Sequence, residues 1–379
     1  MTSVSLPPAS TLVSSIRSSC ASCRTRSNIL INEPAVDTFI LSIPRAEWER
    51  EAGPEKHGVR LPLRFDSPDD ELNLLSVLAL LNFLSGYRPV LHRLTSRGAY
   101  STILSLVLSA YLASDDPASS ILSTQGMLSA TPASIAALAQ IQTHQEKDHP
   151  TLGSAVKVGM KDEEAWECLE LIVGVLKGTG EVLKKEGKGN LGQWVSEKLV
   201  QTQGDSGEMV KQLAETFPAF RDAHLVDGEP VYIFKKALWL LTIITLRFSS
   251  DTASPPPFPL PKIEDLPVFA DNVLPTLLIH LNIFTLASSP DPVLSSLSLS
   301  SATPPLLSST SATRLRAAAL DACASIVRRA HALGEQQHEG REWLQTWTEQ
   351  QLDGWLWGLG KRDEFRTVER IAERGTVYY

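Results

Sequence analysis

Val231-Tyr232-Ile233-Phe234-Lys235-Lys236-Ala237-Leu238-Trp239-Leu240-Leu241-Thr242-Ile243-Ile244-Thr245-Leu246-Arg247-Phe248 is the most apolar long stretch of the chain and the one that decides its fold class. Val231 to Phe234 has the β-branched and aromatic composition of a short strand, and no other short run shares it. The strongly apolar character of the whole segment to Phe248 predicts a central helix. The turn Gly228-Glu229-Pro230 precedes it. With strand signals this sparse, the expected fold is mainly α.

The segments outward from this stretch agree. Leu72, Leu75, Ala79, Asn82 and Phe83 keep helical spacing while Leu74, Val77, Leu78 and Leu81 fill the opposite side, predicting a second buried helix. Trp166, Leu169, Val173, Leu176 and Leu183 mark one face of an amphipathic helix from about Lys161 to Lys185, ended by Gly187 and Gly189. Leu315, Ala318, Ala322, Ile326, Ala330 and Leu333 predict a helix of about five turns whose alanines permit close packing. Trp343, Trp347, Trp355 and Trp357, with neighbouring leucines, predict an aromatic face docked on the core. Two stretches rich in Ser and Pro, 249–262 and 288–313, read as loops, the second as a mobile surface insertion, both dispensable for folding and remote from any site. No fixed-period repeat is visible, so the 379 residues are expected to form one large multi-helix domain with two loop insertions.

Hydrophobic residues make up 43% and charged residues 21%, too apolar for a disordered chain. A net charge of -8 lacks the basic excess that a polymeric nucleic acid demands, so a small anionic ligand is the better fit. No apolar run is long enough to span a bilayer. Four scattered cysteines argue for a reducing compartment, and the Cys20-x-x-Cys23 pair lacks the second pair or histidines of a zinc site. His144 and His149 fall in a polar loop, and His280, set among leucines, reads as a core histidine. The first 30 residues contain Arg17, Arg24 and Arg26 and no acid, the composition of a mitochondrial transit peptide, so the cytoplasmic assignment has a mitochondrial alternative. Phosphate-binding, dinucleotide and nucleophile-elbow glycine motifs are missing, and no cofactor or metal is implied.

Several blocks occur in an order that resembles the queuosine salvage protein family. Phe217-Pro218-Ala219-Phe220-Arg221-Asp222 is similar to that family's Phe-Pro-x-Tyr/Phe-Arg-Asp, and Phe234-Lys235-Lys236-Ala237 to its Tyr-Lys-Arg-Ala. Phe269-Ala270-Asp271, running through Leu274-Pro275 to His280-Leu281, resembles a third block. Leu81-Asn82-Phe83, Leu352-Asp353-x-Trp355-Leu356-Trp357 and the terminal Val377-Tyr378-Tyr379 resemble others. The 14–36 stretch looks like the family's N-terminal helix, which speaks against a transit peptide. Ala79 and Ile243 stand where the family carries aspartates, Leu238 replaces a glutamine, and Asn272 a tyrosine.

The resemblance implies a monomeric N-glycosylase that hydrolyses queuosine 5'-phosphate and frees queuine for tRNA modification, with no direct contact to nucleic acid or membrane. Breaking an N-glycosidic bond builds positive charge on the ribose, which a nearby carboxylate stabilises. Queuine is a 7-deazaguanine, so a proton donor has to reach its carbonyl or pyrimidine edge. The resemblance makes Asp271 and Asp222 the catalytic candidates, and Lys235, Arg221, Phe269, Phe83 and Asn82 the substrate-binding ones. Each has a plainer alternative: a helix cap for Asp271, an ion pair with Arg221 or a lysine for Asp222, a solvated face for Lys235 and Lys236, and core packing for Phe269, Phe83 and Phe234. A catalytic constellation requires Asp222, Lys235 and Asp271 to converge. The alternative functions are a family member without turnover that binds a nucleotide or protein, and a helical interaction scaffold.

Overall fold

The computed structural model describes residues 4–52, 61, 63–113, 119–249, 255–299, 306–336, 340–366 and 368–379. Helices dominate, as expected, and strands are confined to three two-stranded antiparallel ribbons among the described residues. Backbone contacts divide the chain into two compact units: 1–64, 198–215 and 220–373 form the first, and 65–197, 216–219 and 374–379 the second.

In the first unit, the Leu12–Arg26 helix buries Leu12, Ile16, Cys20 and Cys23 on one stripe against the Ser309–Glu335 helix and the Glu229–Tyr232 strand. The arginine-bearing N-terminal stretch is thus part of a packed core. Cys20 and Cys23 are free, and burial pushes both thiols up. The Lys235–Phe248 helix is central as predicted, with every residue from Lys235 to Ile244 buried. Trp48 stacks on Trp347 at 3.7 Å between ring centroids and tilts against Trp343 and Trp355, which locks the C-terminal aromatic face.

The strand predicted at Val231 pairs with a partner that the sequence reading left out. Ala223–Val226 and Glu229–Tyr232 form a hairpin joined by Asp227 and Gly228, which have φ 55° and 81°. Positive φ at both loop positions is the two-residue turn that matches strand twist, and Asp-Gly is its favoured sequence. The hairpin sets Asp222 beside Ile233 and Phe234, whose N–H groups both donate to the Asp222 carbonyl.

The first expected loop is irregular throughout 255–262, whereas the second contains the Pro292–Ser295 turn and the start of the Ser309–Glu335 helix. Residues 250–254 and 300–305 lie outside the described ones, but the described parts are tied down. Phe258 is buried edge-on to Phe248, the Thr245 hydroxyl donates to the Pro261 carbonyl, and the Ser206 hydroxyl donates to that of Lys262. In the second stretch, buried Asp291 caps the Pro292–Ser295 turn and binds Ser311 and Arg314, while Ser308 caps the Ser309–Glu335 helix. That helix is longer than predicted because its first turn is written in Ser and Thr, which the periodicity of apolar residues misses.

In the second unit, the Pro68–Leu80 helix is buried from Glu71 to Leu80, in line with its all-round apolar character. The Glu163–Lys185 helix starts at the Asp162 cap and is followed by Gly187 at φ 67°. His144 and His149 sit in a hairpin rather than the expected polar loop: His144–His149 pairs with Gly153–Lys161, in which every residue is exposed. Val156, Val158 and Met160 alternate with small or charged residues, a strand pattern that the apolar count overlooked. Among the described residues, no single helix is long and apolar enough to cross a membrane.

Candidate functional site

Asp222, Lys235 and Asp271 all lie in the first unit, and a residue absent from the sequence-based list brings their segments together. Arg316 is buried on the Ser309–Glu335 helix; its Nη1 and Nη2 donate to Asp222 Oδ1 and Oδ2 at 3.1 and 2.6 Å. Its Nε donates to the carbonyl of Ala270, next to Asp271, at 2.9 Å. One guanidinium thereby ties the end of the Asp222 segment to the start of the Val273–His280 helix. The two-pronged geometry suits arginine, whose planar fork matches a carboxylate.

Asp222 is saturated. Besides Arg316, its carboxylate accepts from the Lys235 N–H at 3.3 Å and pairs with His224 Nε2 at 2.9 Å. Phe234, at φ 50°, provides no side-chain cap for the Lys235–Phe248 helix, so the Asp222 carboxylate serves its first turn instead. Burial works against the charge, but Arg316 and His224 overcome it and hold the carboxyl well below the usual carboxylate range. The simple ion pair expected with Arg221 or a lysine is replaced by this network. Arg221 itself donates to the Ala214 and Val4 carbonyls at 3.3 and 2.8 Å.

Lys235 and Lys236 do not form the solvated face considered from the sequence, since both are buried. Burial lowers the Lys235 ammonium to about 8, with Asp271 the strongest of the groups that favour its charge and Arg316 opposing it. Lys236 lies 5.6 Å from the Phe220 ring centroid, and burial together with Lys235 lowers it well below the ordinary lysine value. Asp271 keeps 8% exposure and accepts the Val273 N–H at 2.7 Å, so the capping geometry is present, and its charge also favours that of Lys235.

Phe269 is buried, and its N–H donates to Asp353 Oδ1 at 3.0 Å. Asp353, on the Glu349–Leu359 helix, is 7% exposed; burial first, and Asp271 second among the opposing influences, push its carboxyl well above the usual range. Asn82 and Phe83 belong to the second unit, just past the Pro68–Leu80 helix, with Phe83 buried. His280 corrects its expectation: it is exposed, with its ring edge-on to Phe365.

Arg316, His224 and Asp353 were missed from the sequence. Arg316 stands between Leu315 and the Ala317-Ala318-Ala319 run and Asp353 sits among Leu352, Trp355 and Leu356, so a buried charge in each was there to be noticed. A separate cavity of about 530 Å³ opens in this unit between the Leu12–Arg26 and Ser309–Glu335 helices, and none of the cluster residues line it. No group of three or more His, Cys, Asp or Glu able to hold a metal ion occurs among the described residues.

A family model described as queuosine salvage protein matches residues 134–379. The matched region contains Asp222, Lys235, Asp271, Arg316 and Asp353; Asn82 and Phe83 fall outside it. No curated protein matches the chain.

Proposed function

Because this chain belongs to the queuosine salvage protein family, we propose that it is an N-glycosyl hydrolase that cleaves queuosine 5'-phosphate and releases queuine. The observations that carry this reading are the burial of Lys235, Asp271 and Asp353 inside the matched region and the Phe269 N–H bond that ties Asp353 to the segment carrying Asp271. The Asp271 carboxylate faces the anomeric carbon, stabilises the ribose cation and accepts a proton from the attacking water. Lys235 holds the phosphate as a point charge, and its low solvation strengthens that contact. Asp222, with its lone pairs taken by Arg316, His224 and the Lys235 N–H, has the positioning role: it fixes Lys235 and, through Arg316, the Ala270–Asp271 segment. The substrate is a small nucleotide, and the protein acts on it as a monomer, upstream of base insertion into tRNA.

Incubating purified protein with queuosine 5'-phosphate and resolving the products by chromatography tests the reading; free queuine is expected, and its absence refutes it. The second reading, a member that binds without turnover, is favoured by Ala79 and Ile243, which place buried apolar groups where the family carries aspartates. Saturable binding of the nucleotide with no queuine released would select it.

A further inference from the structure

The first unit holds three buried carboxyl groups whose charges act on Lys235, and their hydrogen bonding divides them into three chemical types. Asp222 accepts from a guanidinium, an imidazole and a backbone N–H. Asp271 accepts a short bond from the first N–H of its helix, and its charge favours that of the Lys235 ammonium. Asp353 accepts only the neutral Phe269 N–H among the described residues, and that bond occupies Oδ1. A buried carboxyl with one neutral donor and another carboxylate close by is best accommodated as the neutral acid, with the proton on the oxygen that Phe269 leaves open. Burial and Asp271 both act in that direction.

The Phe269 bond has a second consequence. Phe269 and Asp271 are two residues apart, so the contact that fixes Asp353 also fixes the segment entering Asp271. A carboxyl placed to be the neutral acid and a second one that accepts a helix N–H, held by one short backbone segment, are the pair that acid–base cleavage of a glycosidic bond uses. The chemistry demands such a partner, because a 7-deazaguanine cannot be activated by a proton at its position 7.

Resting on the hydrolase reading, we infer that Asp353 is the general acid that protonates the departing base, with Asp271 as its carboxylate counterpart. As the bond between C1' and the base nitrogen breaks, its electron pair goes to the base, and the Asp353 O–H proton is delivered to the base's carbonyl or pyrimidine edge. Water adds its oxygen to C1' and gives a proton to Asp271. Transfer of that proton through solvent restores Asp353, leaving ribose 5-phosphate and the neutral base as products.

The test uses the full chain with two substrates: queuosine 5'-phosphate, and 4-nitrophenyl β-D-ribofuranoside 5-phosphate, whose leaving group departs as a stable anion with no need of a proton. D353N keeps an oxygen for the Phe269 N–H and removes the acidic proton. It is expected to lose on the order of 100-fold or more in kcat on queuosine 5'-phosphate, the usual contribution of a general acid, and less than about tenfold on the aryl substrate. D271N is expected to lose activity on both alike. Equal losses for D353N on the two substrates, or none on either, overturn the assignment. Should D353N melt below the assay temperature, D353S, whose small hydroxyl needs no more room, is compared in the same way. A wild-type protein inactive on both substrates overturns the hydrolase reading and this role with it, whereas an active wild type with an unaffected D353N overturns the role alone.

Discussion

Replacing Arg316 with Met is the perturbation that most directly probes how the site is held. Arg316 and Asp222 are 1% and 2% exposed, so the pair has almost no solvent to screen it. Removing one member of a buried ion pair leaves the other charge uncompensated, at a cost of roughly 3–5 kcal/mol. The Ala270 carbonyl also loses its Nε donor, which adds about 1 kcal/mol. Such a loss is a large part of the stability of an ordinary domain. Urea titration followed by tryptophan fluorescence reads it, since the Trp48–Trp347 stack lies in the same unit. The folded Asp222 carboxyl lies below its ordinary value, so its contribution is present above the unfolded value of about 3.9 and is lost as pH falls through the folded one. In R316M, burial no longer opposed by Arg316 pushes the same carboxyl up, and protonation relieves the penalty. The gap between wild type and variant therefore narrows as the pH is lowered into the acid range. The double variant R316M/D222L removes both charges and should recover most of the loss, because a buried pair replaced by apolar groups is often nearly neutral. A cost for R316M below about 1 kcal/mol, or a double variant no more stable than the single one, would refute the account of Asp222 as an anchored charge.

Asp271→Asn keeps the acceptor for the Val273 N–H, so its melting temperature should hold while turnover of queuosine 5'-phosphate falls on the order of 100-fold; full activity would leave Asp271 as a cap only. Lys235 is a cation below about 8 and neutral above it, so KM for the phosphorylated substrate should rise as the pH passes that value, and a flat KM from neutral to alkaline pH would remove Lys235 from phosphate binding. Gly204→Ala should destabilise by more than about 1 kcal/mol in urea titration, because φ is +71° there and a Cβ would meet the Leu260 carbonyl oxygen at 2.3 Å; a neutral outcome would show that the 255–262 stretch is not packed as described.

The legible parts of the fold share a physical basis. Wherever the apolar pattern repeats locally, as from Leu72 to Leu81 or from Lys235 to Ile244, the helix and its burial follow from residues within one or two turns. Where the pattern is carried by polar residues, it failed. Ser309 to Thr313 opens a helix because Ser308 caps it and buried Asp291 binds Ser311, a stabilisation with no apolar signature. The Gly153–Lys161 strand has alternation but no buried face, so neither burial nor length gave it away.

The site divides along the same line. Asp222 and Lys235 come together through the Asp227-Gly228 hairpin, thirteen residues of chain whose turn chemistry is local. Arg316 reaches Asp222 across 94 residues and Asp353 reaches Phe269 across 84, and no periodicity encodes partners that far apart. What the sequence does encode is that these groups need partners at all. Lys235 stands at the head of an apolar helix, Arg316 directly before Ala317-Ala318-Ala319 and Asp353 among Leu352, Trp355 and Leu356, and a charge placed there is buried at a cost of several kcal/mol unless another charge meets it. Three such residues in one chain, of both signs, have to find one another or neutralise. Arg316 meets Asp222, the charge of Asp271 favours that of Lys235, and Asp353, left with a backbone N–H, is the one for which the neutral form remains.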